Sequence, residues 1–122
     1  MIGYVTVGTN DLERAAKFYD ALLAEAGAGR AMENERFVAW SSGAGTPMLL
    51  VIKPQDGGPA TSGNGVMVAL ACESEDKINT LHAKALELGG TDEGAPGPRG
   101  DGFYGGYFRD LDGNKLVFFK MG

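Results

Sequence analysis

An aspartate-rich turn in the last quarter of the sequence carries the densest set of oxygen donors. Asp110, Asp112 and Asn114 lie at alternate positions in the stretch RDLDGNKLVFF, with Gly113 between the last two. Alternate oxygen donors are one requirement of a calcium loop, but such a loop also needs a glutamate that closes it. An apolar run that begins at Leu116 follows instead. We therefore interpret the stretch as a tight turn between two β-strands.

The sequence offers few residues for acid-base or nucleophilic chemistry. His82 is the only histidine and Cys72 is the only cysteine. His82 falls on a predicted helix, where we expect an exposed position remote from any site, and no nucleophile motif accompanies it. Cys72 lies at the junction of a predicted strand and helix, and we interpret it as a small buried residue. No catalytic residue is assigned on this basis.

Two segments of the sequence share one layout. They are YVTVGTNDLERAAKFYDALLAEAG, which starts at Tyr4, and MVALACESEDKINTLHAKALELGG, which starts at Met67. Each begins with alternating apolar residues, passes through a polar stretch, continues with apolar residues at three- and four-residue spacing, and ends at glycine. The pattern predicts a duplicated unit in which a strand precedes a helix of about four turns.

The two predicted helices have start and stop signals. Asn10 can accept a backbone N–H, and Glu13 follows three residues later, which is the arrangement of a capping box. Gly27 and Gly89 mark the predicted C-terminal ends. Each helix has one apolar stripe, so each must cover a sheet.

Strand-like segments follow each helix and are separated by loops rich in Gly, Pro, Asn and Asp. The predicted strands are Arg36–Ser41, Pro47–Lys53, Phe103–Arg109 and Lys115–Lys120. We interpret each half as a βαβββ module, so the chain is predicted to be one α+β domain of two tandem modules. We expect module one at about residues 1–55, a linker at about 56–63 and module two at about 64–122.

Strand alternation assigns residues to the two faces of each predicted sheet. Val5 and Val7 are expected to face the helix, which directs Tyr4 and Thr6 to the opposite face. By the same alternation, Leu70, Leu116 and Phe118 are expected to face the helix. The residues on the face away from the helix are then Met67, Val117 and Phe119. Further strand aromatics are expected to border the same cleft and favour an apolar or planar ligand: Trp40, Phe103, Tyr104 and Tyr107.

The segment GAPGPRGDG, Gly94–Gly102, is predicted to be a mobile loop. Its glycines permit rearrangement over the cleft, where Arg99 or Asp101 could contact a polar or anionic group of a ligand. A solvated connector is the alternative interpretation.

Composition excludes several classes of partner. The 122 residues include 11 basic and 16 acidic side chains, for a net charge of −5, with no cluster of Lys and Arg. Nucleic acid and anionic membrane surfaces are therefore not expected partners. A single cysteine allows no intrachain disulfide, and we find no leader segment and no apolar run of about twenty residues. We expect a cytoplasmic protein.

The sequence resembles the vicinal oxygen chelate superfamily of glyoxalases, bleomycin-resistance proteins and extradiol dioxygenases, and within it the small bacterial glyoxalase-like proteins related to lactoylglutathione lyase. Four segments carry the likeness in order: VTVGTNDLERAAKFYDALL, PATSGNGVMVAL, LHAKALELGGTDEGAPGPR and YFRDLDGNKLVFF. The resemblance implies a mixed sheet that curls around a cleft shared by the two modules, with the helices outside. It also implies a homodimer.

Metal enzymes of that superfamily place a histidine on the first strand and a glutamate on the last strand of each module, all pointing into the cleft. The matching positions here are Tyr4, Met67 and Val117, together with a position near Leu49 or Leu50. Phenol, thioether and alkyl groups do not supply the imidazole and carboxylate ligands that a divalent cation requires. We therefore expect no metal and no other cofactor.

Two hypotheses for function follow. The first is a metal-independent protein that binds a small apolar or aromatic molecule in the cleft, for sequestration or sensing as in the bleomycin-resistance branch. The second is a lyase or isomerase of the lactoylglutathione lyase type that uses Tyr4, with a carboxylate or Arg99 from the loop, in acid-base chemistry without a metal. The first is favoured because no Asp, Glu or His is predicted to point into the cleft. The residues predicted to line the cleft are Tyr4, Thr6, Trp40, Met67, Arg99, Tyr104, Val117 and Phe119.

Overall fold

The computed structural model describes all 122 residues, which form two βαβββ modules in tandem. Module one consists of β1 (Tyr4–Gly8), α1 (Leu12–Glu25), β2 (Gly29–Glu33), β3 (Phe37–Ser41) and β4 (Met48–Ile52). Module two consists of β5 (Val68–Ala71), α2 (Glu75–Glu87), β6 (Thr91–Pro98), β7 (Phe103–Arg109) and β8 (Lys115–Met121). The predicted α+β class and the duplicated plan are confirmed.

The two modules have the same sheet topology. Module one has the strand order β1-β4-β3-β2, and module two has the equivalent order β5-β8-β7-β6. In each sheet the first strand pairs in parallel with the last, and the remaining pairs are antiparallel. The two sheets are not hydrogen-bonded to each other, so β1 and β5 are both edge strands.

Each sheet has one face covered by its own helix and one face turned away from it, which we call the open face. A single hydrophobic core spans both modules and contains the buried residues of α1, α2 and the helix-facing strand positions. Val7, Leu116 and Phe118 belong to this core, as alternation predicts. Ala39 and Leu50 are buried but lie outside it, because they occupy the open face.

Helix α1 begins at a different cap from the one predicted. Asp11 is the N-cap, and its carboxylate accepts a hydrogen bond of 3.0 Å from the backbone N–H of Arg14. The side-chain oxygen of Asn10 instead accepts a hydrogen bond of 2.7 Å from the backbone N–H of Ala60. The capping prediction for Asn10 is therefore wrong, because this side chain ties the helix start to the segment between the modules.

Both helices end where the sequence predicts. Ala26 and Leu88 are the C-cap residues, and the glycines that follow, Gly27 and Gly89, have φ of 83° and 105°. Side chains with a Cβ rarely adopt this left-handed region, which is why glycine closes both helices. Neither helix combines the length and the apolar character needed to span a bilayer.

The second strand of each module was not located by its sequence pattern. Every residue of β2 is exposed, and β6 has register shifts on both sides of Gly94. Edge strands of this kind show no alternation of apolar and polar residues, which is the signal that identifies strands in a sequence. Most of the predicted mobile loop Gly94–Gly102 therefore belongs to β6, which extends to Pro98.

A buried polar network centred on the aspartate-rich turn joins the two modules. Asp110 is 5% exposed, and its Oδ2 accepts a hydrogen bond of 2.6 Å from the hydroxyl of Tyr19 on α1. Its Oδ1 accepts hydrogen bonds from the backbone N–H groups of Asp112 and Asn114. The Asn114 carboxamide donates both to Asp110 and to the backbone oxygen of Gly8 in β1.

The second carboxylate of this turn also binds module one. Asp112 accepts a hydrogen bond of 2.6 Å from the Thr9 hydroxyl and one of 3.0 Å from the backbone N–H of Asn10. Arg14 lies 3.7 Å from the same carboxylate. The oxygen donors of the turn are thus used within the protein, in agreement with the interpretation as a turn.

Candidate ligand-binding site

The open face of module one is apolar and carries no charged side chain on β1, β3 or β4. Tyr4 lies opposite Met48 in the β1–β4 ladder, and Thr6 lies opposite Leu50. The Tyr4 side chain is 59% exposed. Of the two positions considered for the glutamate of module one, Leu50 occupies the open face and Leu49 belongs to the core.

The open face of module two has an aromatic floor. Val117 lies opposite Tyr107 and is fully buried, and Phe119 lies opposite Gly105. The ring of Phe103 stacks on that of Phe119, with centroids 5.5 Å apart and planes inclined by 5°. A Cβ on Gly105 would lie 2.8 Å from Cε1 of Phe103, so glycine is required for this ring to lie across the strand.

Two cations contact the ring of Tyr107 on this open face. The guanidinium carbon of Arg99 lies 5.3 Å from the ring centroid, and Nζ of Lys115 lies 5.6 Å from it. Arg99 also donates a hydrogen bond of 2.6 Å to the backbone oxygen of Ala95. Neither Arg99 nor Lys115 forms an ion pair with an acidic side chain.

A cavity of about 840 Å³ lies between the two modules, and 16 of its 21 lining residues are hydrophobic. It is bounded by β5, by the adjoining ends of β1, β3 and β4, and by the C-terminal end of α1 and the N-terminal turns of α2. Ser41, Ser42, Glu73 and Lys77 provide polar groups at its rim. The cavity is large enough for a small organic molecule.

The cavity includes only part of the predicted site. Trp40 and Met67 line it. The other predicted residues do not line it: Tyr4, Thr6, Arg99, Tyr104, Val117 and Phe119. Alternation assigned Val5, Leu70 and Phe118 to the helix face, and all three line the cavity. Sequence reasoning missed them because only the packing of α1 beside α2 shows that this part of the helix face is left uncovered.

The structure corrects the expected orientation of two aromatic residues. Trp40 is 1% exposed on the helix face, where its indole N–H donates a hydrogen bond of 2.9 Å to Asp20 and its ring contacts that of Tyr19. Tyr104 also faces its helix, and its hydroxyl donates to Asn79 at 2.7 Å. Trp40 therefore reaches the cavity from the core side, and Tyr104 lies outside both the cavity and the open face.

His82 is buried, so the expectation of an exposed position is wrong. It is 4% exposed and lies between α2 and the sheet of module two. Its Nε2 is 3.2 Å from Oδ1 of Asp92 and 3.0 Å from the backbone oxygen of Tyr107. Both partners are acceptors, so Nε2 carries the proton, and the ring joins the helix to strands β6 and β7.

Cys72 lines the cavity and is half-buried. Burial raises the pKa of its thiol above the ordinary value, and the positive charge of Lys77 opposes this effect to a smaller extent. A raised pKa keeps the thiol protonated near neutral pH, and the thiol is a far weaker nucleophile than the thiolate. Cys72 is therefore an apolar lining residue in this arrangement.

Comparison with known protein families identifies the superfamily of the chain. The sequence profile of the Glyoxalase/Bleomycin resistance protein/Dioxygenase superfamily matches residues 1–118. The chain belongs to this superfamily. A search of curated protein sequences finds no match.

Solved structures of superfamily members share the fold. The chain is 37% identical to a glyoxalase/bleomycin resistance protein from Albidiferax ferrireducens, with a TM-score of 0.92 and coverage of 100% of this chain and 99% of that one. It is 25% identical to a glyoxalase/bleomycin resistance protein/dioxygenase from Nocardioides, with a TM-score of 0.70 and coverage of 99% and 83%. A lactoylglutathione lyase from Agrobacterium tumefaciens is 18% identical, with a TM-score of 0.73 and coverage of 98% and 92%, and this likeness extends to the fold alone.

The metal that the superfamily implies does not fit the residues of this chain. The four matching positions carry Tyr4, Leu50, Met67 and Val117, which offer a phenol, a thioether and two alkyl groups. No group of three or more His, Cys, Asp or Glu side chains in the structure could hold a metal ion. Divalent cations require imidazole, thiolate or carboxylate ligands.

Proposed function

We propose that this superfamily member binds a small apolar or aromatic molecule between its two modules without using a metal. The cavity of about 840 Å³ is the observation that carries this proposal, because its volume and its predominantly hydrophobic lining match those of small-molecule sites. Polar groups at the rim, such as Ser41 and Lys77, are available to orient a ligand. Binding of this kind serves sequestration or sensing, and we propose the cytoplasm as its location.

No observation favours the alternative of a lyase or isomerase that uses Tyr4. Tyr4 does not line the cavity, its side chain is 59% exposed, and its hydroxyl forms no hydrogen bond within the protein. A general acid needs a defined position beside the reacting atom of its substrate.

An uncharged aromatic probe tests the binding proposal. N-phenyl-1-naphthylamine fluoresces in apolar surroundings, and we expect it to saturate at one molecule per chain. Ala26 lines the cavity at the exposed end of α1, so Ala26→Trp should fill the mouth and weaken probe binding by about tenfold. Ala24→Trp is the matched control, because Ala24 is exposed on the same helix and lies outside the cavity. Equal binding by the two variants would contradict the proposal.

We further propose that two copies of the chain form a homodimer. Four large apolar side chains beside the edge strands β1 and β5 are strongly exposed, namely Ile2 (56%), Tyr4 (59%), Val66 (58%) and Met67 (43%). Exposed edge strands with apolar neighbours are normally covered in stable proteins. Ile2 and Met67 also line the cavity. A second copy of the chain that packs on these four exposed residues would therefore also cover the cavity mouth.

Light scattering of the purified protein tests the homodimer. We expect the mass of two chains for the wild type and the mass of one chain for Met67→Lys at the same concentration. Met32→Lys is the matched control, because Met32 is 51% exposed but lies on the outer strand β2. A wild-type protein that remains monomeric at micromolar concentration would overturn this part of the proposal.

A further inference from the structure

A polar pocket of about 500 Å³ lies on module one beside the start of α1, at the opposite end of this helix from the cavity between the modules. It is bounded by the residues before α1, by the residue before β3 and by the segment that follows β4. Nine residues line it, and they include Arg36 and Lys53 but no acidic side chain. The pocket and the cavity share no residue, so binding in one is independent of binding in the other.

Arg36 and Lys53 lie opposite each other at the end of two paired strands. The backbone N–H of Lys53 donates to the backbone oxygen of Arg36 at 3.0 Å, which continues the antiparallel β3–β4 pairing by one residue. Val38 and Val51, two residues away on the same strands, belong to the core, so both cations project to the side of the sheet that carries α1. Like charges directly opposite each other on a sheet are destabilising.

The charges of these two cations are not balanced within the protein. Neither Arg36 nor Lys53 forms an ion pair with an acidic side chain. Lys53 also lines an adjoining groove that contains Glu13, Glu33 and Glu35, but none of these carboxylates pairs with it. The repulsion between the two cations is therefore left for an external anion to offset.

Uncharged amides add hydrogen-bond donors to the same pocket. The side-chain oxygen of Asn10 accepts a hydrogen bond of 2.7 Å from the backbone N–H of Ala60, which leaves its NH₂ group without a protein acceptor. The side chain of Gln55 forms no hydrogen bond within the protein and also lines the pocket. The carboxylate of this loop, Asp56, is outside the lining, and its Oδ1 accepts a hydrogen bond of 2.9 Å from the backbone N–H of Gly58.

We propose that this pocket binds a phosphate dianion, either free or as the phosphate group of a small molecule. A phosphate monoester carries a charge of about −1.5 to −2 at pH 7, which matches the two positive charges of Arg36 and Lys53. The guanidinium binds two phosphate oxygens at once, and the dianion removes the repulsion between the cations. The volume of about 500 Å³ leaves room for a group attached to the phosphate, beside the amides of Asn10 and Gln55.

An NMR titration of the ¹⁵N-labelled protein at constant ionic strength tests the proposal, with sodium phosphate replacing sodium chloride. At about pH 7.5 the phosphate is largely a dianion. We expect saturable shifts of the backbone amides of Arg36, Lys53 and Gln55. Sodium acetate should bind at least about fivefold more weakly, because a single negative charge leaves one cation unmatched.

Glycerol 3-phosphate distinguishes the two sources of the phosphate group. Tighter binding than inorganic phosphate at the same amides identifies a small phosphorylated molecule as the ligand. Equal affinity identifies free phosphate. Glycerol, which lacks the phosphate, should shift none of these amides.

Substitution of the two cations locates the site. Arg36→Gln and Lys53→Gln should each weaken phosphate binding by about fivefold or more, since a charge-assisted contact is lost. Lys115→Gln is the matched control, because it removes the same charge from module two and Lys115 also forms no ion pair with an acidic side chain. It should leave the affinity at the pocket amides unchanged.

Thermal unfolding gives a second measurement on the same variants. Phosphate should raise the Tm of the wild type and of Lys115→Gln, because a ligand that binds the folded state stabilises it. It should not raise the Tm of Lys53→Gln. Without phosphate, Lys53→Gln should unfold no lower than the wild type, because the repulsion from Arg36 is removed.

Two results would overturn the inference. In one, the pocket amides do not shift, or they shift equally with acetate and phosphate, which indicates a general response to salt. In the other, Lys115→Gln weakens phosphate binding as much as Lys53→Gln does, which indicates an effect of net charge alone. Failure of the aromatic probe to bind between the modules would leave this inference intact, since the two sites share no residue.

Discussion

The turn between β3 and β4 in module one and the equivalent turn between β7 and β8 in module two have different partners. In module one, the turn is exposed and bonds to itself, with the Thr46 hydroxyl donating to the backbone oxygen of Gly43 at 2.6 Å. In module two, Asp110 and Asn114 are each 5% exposed and bind α1 and β1 of module one. The β3–β4 turn therefore bonds within its own module, whereas the equivalent β7–β8 turn joins the two modules.

The open faces of the two modules also differ, in this case in the chemistry of their side chains. Module one presents Tyr4, Thr6 and Leu50 without a charge, whereas module two presents stacked phenylalanine rings and two cations without acidic partners. The helix faces of both modules share one hydrophobic core. Close packing fixes the shape of the core, whereas the open faces can carry different chemistry in the two modules.

The largest loss of stability is expected from a substitution in the aspartate-rich turn between β7 and β8, which joins the two modules. Asp110→Ala removes the acceptor for Tyr19, for Asn114 and for two backbone N–H groups, and should lower the free energy of unfolding by about 3–5 kcal/mol. Thr46→Ala in the exposed turn of module one is the matched change and should cost less than about 1 kcal/mol. Urea denaturation measures both, and equal losses would show that the two turns contribute alike.

An intermediate effect is expected from a single methyl group on the open face of module two. Gly105→Ala places a Cβ 2.8 Å from Phe103 and 3.2 Å from Val117, so the stacked ring must move, at a cost of about 1–3 kcal/mol. Gly29→Ala in β2 of module one meets no atom within 4 Å and should change stability by less than about 0.5 kcal/mol. Denaturation of both variants tests the difference, which disappears if the Phe103 ring rotates away freely.

Alkaline pH should weaken the contact between the modules. Burial, followed by the charge of Asp110, raises the pKa of the Tyr19 phenol well above its ordinary value. The folded protein therefore keeps this proton when the unfolded chain releases it, so the stability is fully present below about pH 10 and falls above it, by at most about 1.4 kcal/mol per pH unit. Tyr19→Phe should flatten this decline, as measured by urea denaturation between pH 8 and 11. A variant with the wild-type slope would assign the decline to other groups.

The smallest loss of stability is expected from substitution of Asp20, which accepts the hydrogen bond from Trp40 in module one. The hydrogen bond from Arg30 holds the pKa of the Asp20 carboxyl below its usual value, so the contribution of Asp20 is present above about pH 4 and is lost as the pH falls further. Because this ion pair is largely exposed, Asp20→Asn should cost less than about 1 kcal/mol at pH 7. Thermal unfolding at pH 7 and pH 3 measures the difference, and a larger loss at pH 3 would contradict the sign.

Local patterns predicted the parts of the fold that depend on neighbouring residues. Val7, Leu116 and Phe118 are in the core as alternation predicted, and Gly27 and Gly89 close the helices. The face of Tyr104 and the burial of His82 were predicted wrongly. Tyr104 belongs to a strand with small residues at Gly105 and Gly106, where alternation of apolar side chains is lost.

The proposed site was only partly accessible to sequence reasoning. Met67 and Trp40 were named as site residues and line the cavity, whereas Leu70 and Phe118 were assigned to the helix face and also line it. The roles of the predicted residues in ligand binding stay predictions. The missing information was the gap between two helices that are distant in the sequence, which no local pattern contains.

The amino-acid sequence by itself determined the duplicated βαβββ plan and the α+β class. These features follow from residue types and from spacing over a few positions, which local backbone preferences and side-chain alternation control. Only the tertiary structure decided where the cavity lies, which carboxylates are buried, and that Arg99 and Lys115 contact the same ring. Those outcomes depend on how segments far apart in the chain pack together. In a close-packed interior the position of each side chain is constrained by all of its neighbours, which a local stretch of sequence does not specify.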